Sequence, residues 1–248
     1  MNVIESLKSH RSIRKYTGQN IDSVLLSKIL EAGIMASTTG NMQVYSVVVT
    51  TRDDLKEALA PAHFNQPMVR QAPVVLTFCA DFNRFNKWCR QRKAEPGYDN
   101  FLSFITAAID ALLVAQNVCV AAESEGLGIC YLGTTTYNAR QIIEVLKLPK
   151  GVVPITTVTM GYPAEDPGLT DRLPLDAVIH YETYQDYCSE AIDRLYYEKE
   201  NLELYKGFVK DNQKETLAQV FTDVRYKKAD NEYFSNALLQ VLKEQGFF

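Results

Sequence analysis

Apolar positions along this chain alternate between two spacings. Between Asp22 and about Ala36, Leu25, Leu26, Ile29 and Leu30 recur three and four residues apart, as on one buried helical face, with Asp22 or Ser23 placed to cap the helix. Before it, Asn2 to Ser9 puts Val3, Ile4 and Leu7 on one face of a short amphipathic helix. The β-branched run Val44 to Thr51 then reads as a central strand, Pro73 to Ala80 as a second buried strand, Leu127 to Leu132 as a third and Val152 to Met160 as a fourth. Asp53 to Ala60 predicts a short helix and His63 to Arg70 a loop. Asp81 to Asn100, with Trp88, many charges and Pro96-Gly97, has no clean period and predicts a surface excursion or lid. Phe101 to about Glu125 is apolar around most of its circumference, so the helix it predicts must be contacted on every side, and Gly126 is placed to end it. Asn138 is placed to cap a further helix through Leu146.

Helices alternating with buried strands predict an α/β or α+β sandwich. From Gly161 the composition changes to an extended arm with Pro163, Pro167, Gly168, Arg172 and Pro174. Beyond it, residues 184–248 predict helices rich in Tyr, Lys and Glu, with Ser235 as a possible cap and Gly246 as the stop. The expected organisation is a core over 1–183 and a helical extension over 184–248, packed on the core or on a partner subunit.

Composition narrows the function classes. With 46% hydrophobic and 23% charged residues the chain reads as an ordinary soluble globular protein. A formal charge of -4 argues against nucleic-acid binding through bulk electrostatics. The apolar window Phe101 to Ala122 is interrupted by Asp110, Gln116 and Asn117, each costly in lipid, so a buried helix is expected and no membrane span. Five cysteines without a CxxC pair fit free thiols in a reducing compartment, and three scattered histidines predict no metal site. Met1 to Lys8 lacks the apolar core of a secretory signal, and a cytoplasmic protein is expected.

Against that background one stretch stands out. His10, Arg11, Ser12, Ile13, Arg14, Lys15 and Tyr16 place two guanidinium forks, an ammonium, an imidazole and two hydroxyls within seven residues. Planar guanidinium donors match phosphate oxygens in pairs, so the stretch reads either as a phosphate clamp or as a solvated basic turn. The polar loop Ser37 to Gln43 reads either as a ligand contact or as a plain helix-to-strand connection.

Taken in order, His10 to Tyr16, Ser37 to Gln43, Gly126 to Thr134 and Gly161 to Pro174 resemble the FMN-dependent nitroreductases, most closely the NADPH-dependent nitroreductase and flavin reductase group. The resemblance covers most of the chain, including Phe78 to Arg84 and Lys243 to Phe247. It implies an α+β fold with a mixed sheet sandwiched by helices, an interlocked homodimer, and FMN at the dimer interface. It further implies that His10, Arg11, Ser12 and Arg14 hold the FMN phosphate and ribityl end with Arg172 from the arm. Thr38 and Asn41 would approach the flavin from the partner chain, Gln66 would contact the ring, and Leu132, Gly133 and Thr134 would bring backbone N-H groups close to it. Arg225 would grip the 2'-phosphate of NADPH, or else is a solvated helix charge. Two positions depart from the family pattern: Thr170 stands where near relatives carry Lys, and Met68 where a polar side chain is usual.

The activity implied is hydride transfer from NADPH or NADH through FMN to a small acceptor, such as a nitroaromatic, a quinone or free flavin. A flavin-binding or storage protein without turnover, and another reaction of the same superfamily, remain open alternatives.

Overall fold

The computed structural model of the chain describes residues 2–248. They form two compact units, one running to Gly168 and resuming at Phe234–Phe248, the other Leu169–Tyr233. The boundary expected between 183 and 184 falls within the second unit.

In the first unit the elements follow one another as α1 (Val3–Lys8), α2 (Ser23–Gly33), β1 (Tyr45–Thr50), α3 (Asp53–Leu59), α4 (Pro67–Gln71), β2 (Val74–Asp81), α5 (Asn83–Gln91), α6 (Phe101–Ser124), β3 (Gly128–Leu132), α7 (Ala139–Leu146) and β4 (Val152–Gly161). The strands form one sheet in the order β1-β2-β4-β3, and all three ladders are antiparallel. A parallel component enters through an isolated bridge from Ser12 to Ile129. The architecture is the expected α+β arrangement of a sheet with helices.

β2 is buried at every position and β4 at nearly every one, so the longest apolar runs take the middle of the sheet. Pro154 lies in β4 opposite Cys79, where the register with β2 slips between Phe78 and Cys79. A proline within a central strand is accommodated at such an irregularity because it has no N-H for the ladder. β1 is an edge strand among the described residues and not the central strand expected from Val44 to Thr51. Its β-branched run fits any pleated surface, and Val49 is in fact 40% exposed.

α6 crosses this sheet. Ala111, Val114, Ala115, Val118, Cys119 and Ala122 pack with Leu76, Phe78, Ile129, Val158 and Met160 as the main core. Asn100 caps its start by accepting from the N-H of Ser103, and Gly126, at φ 79°, follows its end. α2 begins as expected at Asp22, whose carboxylate accepts from the N-H groups of Val24 and Leu25.

Several local expectations need correction. The His63–Arg70 loop holds the end of a 3-10 turn, Ala60–His63, and then α4, which Pro67 can start because its fixed φ suits the first helical position. Part of the 81–100 excursion is helical as α5. Asn138 stands at the N-cap of α7, but its side-chain amide donates instead to the carbonyl of Ala62 at 2.8 Å. The apolar face of α1 points outward: Val3, Ile4 and Leu7 are exposed while Ser6 is buried.

The second unit contains α8 (Ser189–Asn201), α9 (Glu203–Asp211), a short turn α10 (Leu217–Gln219) and a π-helical turn, Val220–Arg225. Its small core joins Tyr205, Leu217 and Val220 with Phe208, Val209 and Phe221. The final helix, α11 (Lys228–Gln245), contains Ser235 in its interior, so Ser235 is not a cap, and the helix stops at Gly246 with φ 85°.

Candidate functional site

The basic stretch is fixed to the sheet at its middle. Ser12 bridges Ile129, the N-H of Ile13 donates to the carbonyl of Ile129 at 2.9 Å, and the Ile13 side chain is buried. Gly128 allows that approach, since a Cβ there would lie 2.5 Å from Cγ1 of Ile13. Tyr16 closes the stretch. Its hydroxyl donates to the carbonyl of Ile13 at 2.8 Å and lies 2.7 Å from the hydroxyl of Thr159. Burial pushes the phenol above its usual range, so it stays protonated as a donor.

Acidic residues then sort the cations. His10 Nδ1 lies 2.6 Å from a carboxylate oxygen of Glu123 on α6, and Arg11 is paired with Asp166. The Arg11 hydrogen bond holds the Asp166 carboxyl below the usual carboxylate range. Glu165 accepts from the backbone N-H groups of Arg14, at 2.8 Å, and Lys15, at 3.1 Å. The Arg14 guanidinium is exposed, and its hydrogen-bond contact is the carbonyl of Ser12 at 3.5 Å. Among the described residues it has no carboxylate partner. Arg14 is thus the cation of this stretch left available to an external anion.

β3 begins beside this stretch and ends at Leu132, directly before Gly133 and Thr134. Leu132 is buried, whereas a Cβ on Gly133 would meet nothing within 4 Å, so the backbone there borders open space. The Thr134 hydroxyl lies 2.8 Å from Nδ1 of His63, a fully buried imidazole on the Ala60–His63 turn. Burial pulls the His63 pKa down to about 4, and its Nε2 has no hydrogen-bond partner. The 132–138 loop is therefore held to the 60–63 turn by two side chains, His63 and Asn138. Gln66 stands partly exposed at the start of α4, while Met68 is 5% exposed and packs with Leu59, Val69, Cys130 and Leu132. The apolar residue at the second departure thus serves the core.

Thr38 and Asn41 lie on a separate loop. Thr38 is extended, and Gly40, Asn41 and Gln43 all have left-handed backbones, with φ of 55°, 54° and 52°. Gln43 donates through its side chain to the Asn41 side-chain oxygen at 3.1 Å, and the Arg84 guanidinium binds the Gln43 carbonyl. Both ends of the loop are tied to Asp110, a fully buried residue of α6. The sequence registered Asp110 only as an interruption of an apolar window, and its placement there was the signal available.

Arg172 and Arg225 belong to the second unit. Arg172 donates to the carbonyls of Asp171, at 2.9 Å, and Thr170, at 3.2 Å. The arm is anchored next to it. The Asp171 carboxylate accepts from Lys199 at 2.7 Å and from the Tyr205 hydroxyl at 2.6 Å. The Arg225 guanidinium stacks 4.1 Å from the ring centre of Phe208 and has no carboxylate partner among the described residues.

The profile of the Nitroreductase family matches residues 7–162, more than half of the chain. The oxygen-insensitive NADPH nitroreductase of Salmonella typhimurium is 33% identical over 244 residues, covering 98% of this chain and 97% of that protein. A solved chain from Bacteroides fragilis is 60% identical, with a TM-score of 0.97 and coverage of 98% of this chain and 99% of that one. The NADPH:FMN oxidoreductase of Vibrio harveyi, solved in complex with NAD+, is 28% identical, with a TM-score of 0.84 and coverage of 100% and 99%.

Proposed function

The chain belongs to the nitroreductase family, and from that premise we propose that it is an FMN-dependent oxidoreductase that uses NADPH or NADH to reduce small acceptors such as nitroaromatics, quinones or flavins. One observation carries the assignment to this chain's own residues. β3 ties the cationic stretch to its second residue, Ile129, and delivers Gly133 just past its end, about 14 Å further on at the rise of an antiparallel strand. A single rigid element thus spaces an exposed guanidinium and an open stretch of backbone, the two features a phosphate-tailed planar cofactor requires.

The donor set fits FMN. Arg14 would take the phosphate, joined by Ser12 and, through whatever faces their acidic partners leave free, by His10 and Arg11. The backbone of Leu132, Gly133 and Thr134 would border the ring, with Gln66, Thr38 and Asn41 as polar neighbours. Bound FMN supplies the redox chemistry, accepting hydride from the nicotinamide and delivering two electrons to the acceptor. Arg225 would bind the 2'-phosphate of NADPH, its guanidinium already lying over the Phe208 ring.

A homodimer is supported by α6. Phe101, Ile105, Ile109 and Leu112 form a stripe at helical spacing and remain 37–49% exposed. A stripe of this kind on a core helix marks an interface more often than a solvated face. By length and composition α6 could cross a membrane, with a mean hydropathy of 1.8, but its buried Asp110 binds two backbone N-H groups of the same unit. A core helix accounts for both facts. The five free cysteines fit a reducing, cytoplasmic setting. Burial pushes the thiols of Cys79 and Cys119 up to about 12, which makes them unreactive.

The test is direct. The purified protein should release FMN on denaturation and oxidise NADPH or NADH steadily when a nitroaromatic is supplied. A flavin-loaded protein that consumes neither nucleotide with any acceptor would leave the storage reading standing in its place.

A further inference from the structure

We propose that Asp110 is a positioning residue for the cofactor site, setting the loop that presents Thr38 and Asn41; the inference rests on the FMN reading above. Asp110 is fully buried in the middle of α6 and has no Lys, Arg or His partner among the described residues. Its two oxygens instead take separate backbone donors, the N-H of Thr39 at 2.9 Å and, more loosely, the N-H of Val44 at 3.4 Å. Those donors stand at the two ends of one short turn.

Burying a carboxyl group without a cation is costly, and an apolar side chain at position 110 would have filled the same space at no such cost. What Asp110 provides is a bond at each end of a segment whose interior holds three left-handed residues, two of them not glycine. That backbone is strained, and it persists only where the surroundings impose it. Strain held at a candidate ligand contact by a buried anchor is the arrangement expected of a preorganised site. The loop itself is mostly exposed, with Thr39, Gly40, Asn41 and Gln43 all at the surface. Within the loop, Met42 packs against the core and Gln43 binds the Asn41 side chain, but the Thr39 end has no side-chain packing of its own. Arg84 supports the far end by binding the carbonyls of Gln43 and Tyr45, leaving the Thr39 end to Asp110.

Two substitutions remove the same bond from opposite sides. Asp110→Asn keeps the shape but turns an amide NH2 toward one of the two N-H donors. Thr39→Pro deletes the donor. Proline fits there because position 39 opens a 3-10 turn and Thr38 before it is already extended, at φ -134° and ψ 153°. The FMN dissociation constant of the full chain, freed of flavin and titrated by fluorescence, is measured beside the melting temperature for the wild type, both variants and their combination. Each variant should weaken FMN at least tenfold, and the combination should be no weaker than the worse single variant, since both act through one contact. Wild-type FMN affinity in Thr39→Pro overturns the proposal even where Asp110→Asn does not fold, as does a lowered melting temperature with unchanged affinity, or losses that multiply in the combination. A wild-type chain that takes up no FMN would instead overturn the cofactor reading itself.

Discussion

The imidazole of His63 and the hydroxyl of Thr134 lie 2.8 Å apart, joining the turn before α4 to the loop after β3 with the imidazole fully buried. The pair also ties stability to pH. The folded pKa of His63 is pulled by burial to about 4, below the ordinary imidazole value of 6.5. Above pH 6.5 the ring is neutral in both the folded and the unfolded chain, and its contribution to stability is fully present. As pH falls from 6.5 to 4 the unfolded chain binds a proton that the folded chain refuses. Stability drains away over that window by on the order of 3 kcal/mol. Chemical denaturation of the wild type and of His63→Gln across pH 4 to 7 should show the steeper decline in the wild type, and parallel curves would refute the assignment.

Arg14 should matter to flavin and little to folding. Its guanidinium is exposed and touches only a carbonyl at 3.5 Å, so its removal breaks no established contact of the folded chain. Losing a charge-assisted bond to a phosphate should cost about 1.5 to 3 kcal/mol of FMN binding, roughly ten- to a hundredfold in Kd. Flavin titration and thermal melting of Arg14→Ala separate the two effects. Full flavin occupancy at the wild-type Kd would count against the clamp.

For Arg225→Ala the expected result is a raised KM for NADPH, with NADH use unchanged. The stacking on Phe208 is worth only about 0.5 to 1 kcal/mol at such a site, so stability should barely change. Steady-state kinetics with both nucleotides is the measurement, and equal effects on the two would remove the 2'-phosphate role.

If the α6 stripe meets a second copy, a charge within it should separate the copies. Ile109 is 49% exposed in the middle of the stripe, so Ile109→Asp costs little within one chain but places a carboxylate in an apolar contact. Light scattering should give a dimer for the wild type and a monomer with weakened FMN for the variant. A wild type that runs as a monomer would undo the interface.

What the sequence made legible was whatever periodicity and caps encode locally. The span of α6, the cap at Asp22 and the stop at Gly246 all follow from nearest neighbours along the chain. β1 was misplaced because a run such as Val47, Val48, Val49 fits an edge as well as a centre, and only the partner strands decide which. The site divided in the same manner. Its cations were visible as a composition. Which of them is free was not, because Glu123, Glu165 and Asp166 are brought to the turn by α6 and by the segment after β4, more than a hundred residues away. Asp110 and His63 were hidden for a related reason: each acts through a backbone or side-chain contact that no spacing in the chain records.

Gly128 links fold and site most closely. A Cβ added there would stand 2.5 Å from Cγ1 and 2.6 Å from Cβ of Ile13, and the second of these belongs to the branch point of a stiff side chain that cannot swing aside. Gly128→Ala must therefore push the 10–16 stretch away from β3 or bend the strand, with an overpacking cost of about 1 to 3 kcal/mol. Because the N-H of Ile13 is bonded to Ile129, the displacement falls on the residues that carry Ser12 and Arg14. FMN affinity should fall together with melting temperature in this variant, whereas Arg14→Ala should lower affinity alone. A Gly128→Ala protein that is destabilised yet binds FMN as the wild type does would mean that the stretch is free to move without consequence, and that its attachment to β3 does not position the phosphate contact.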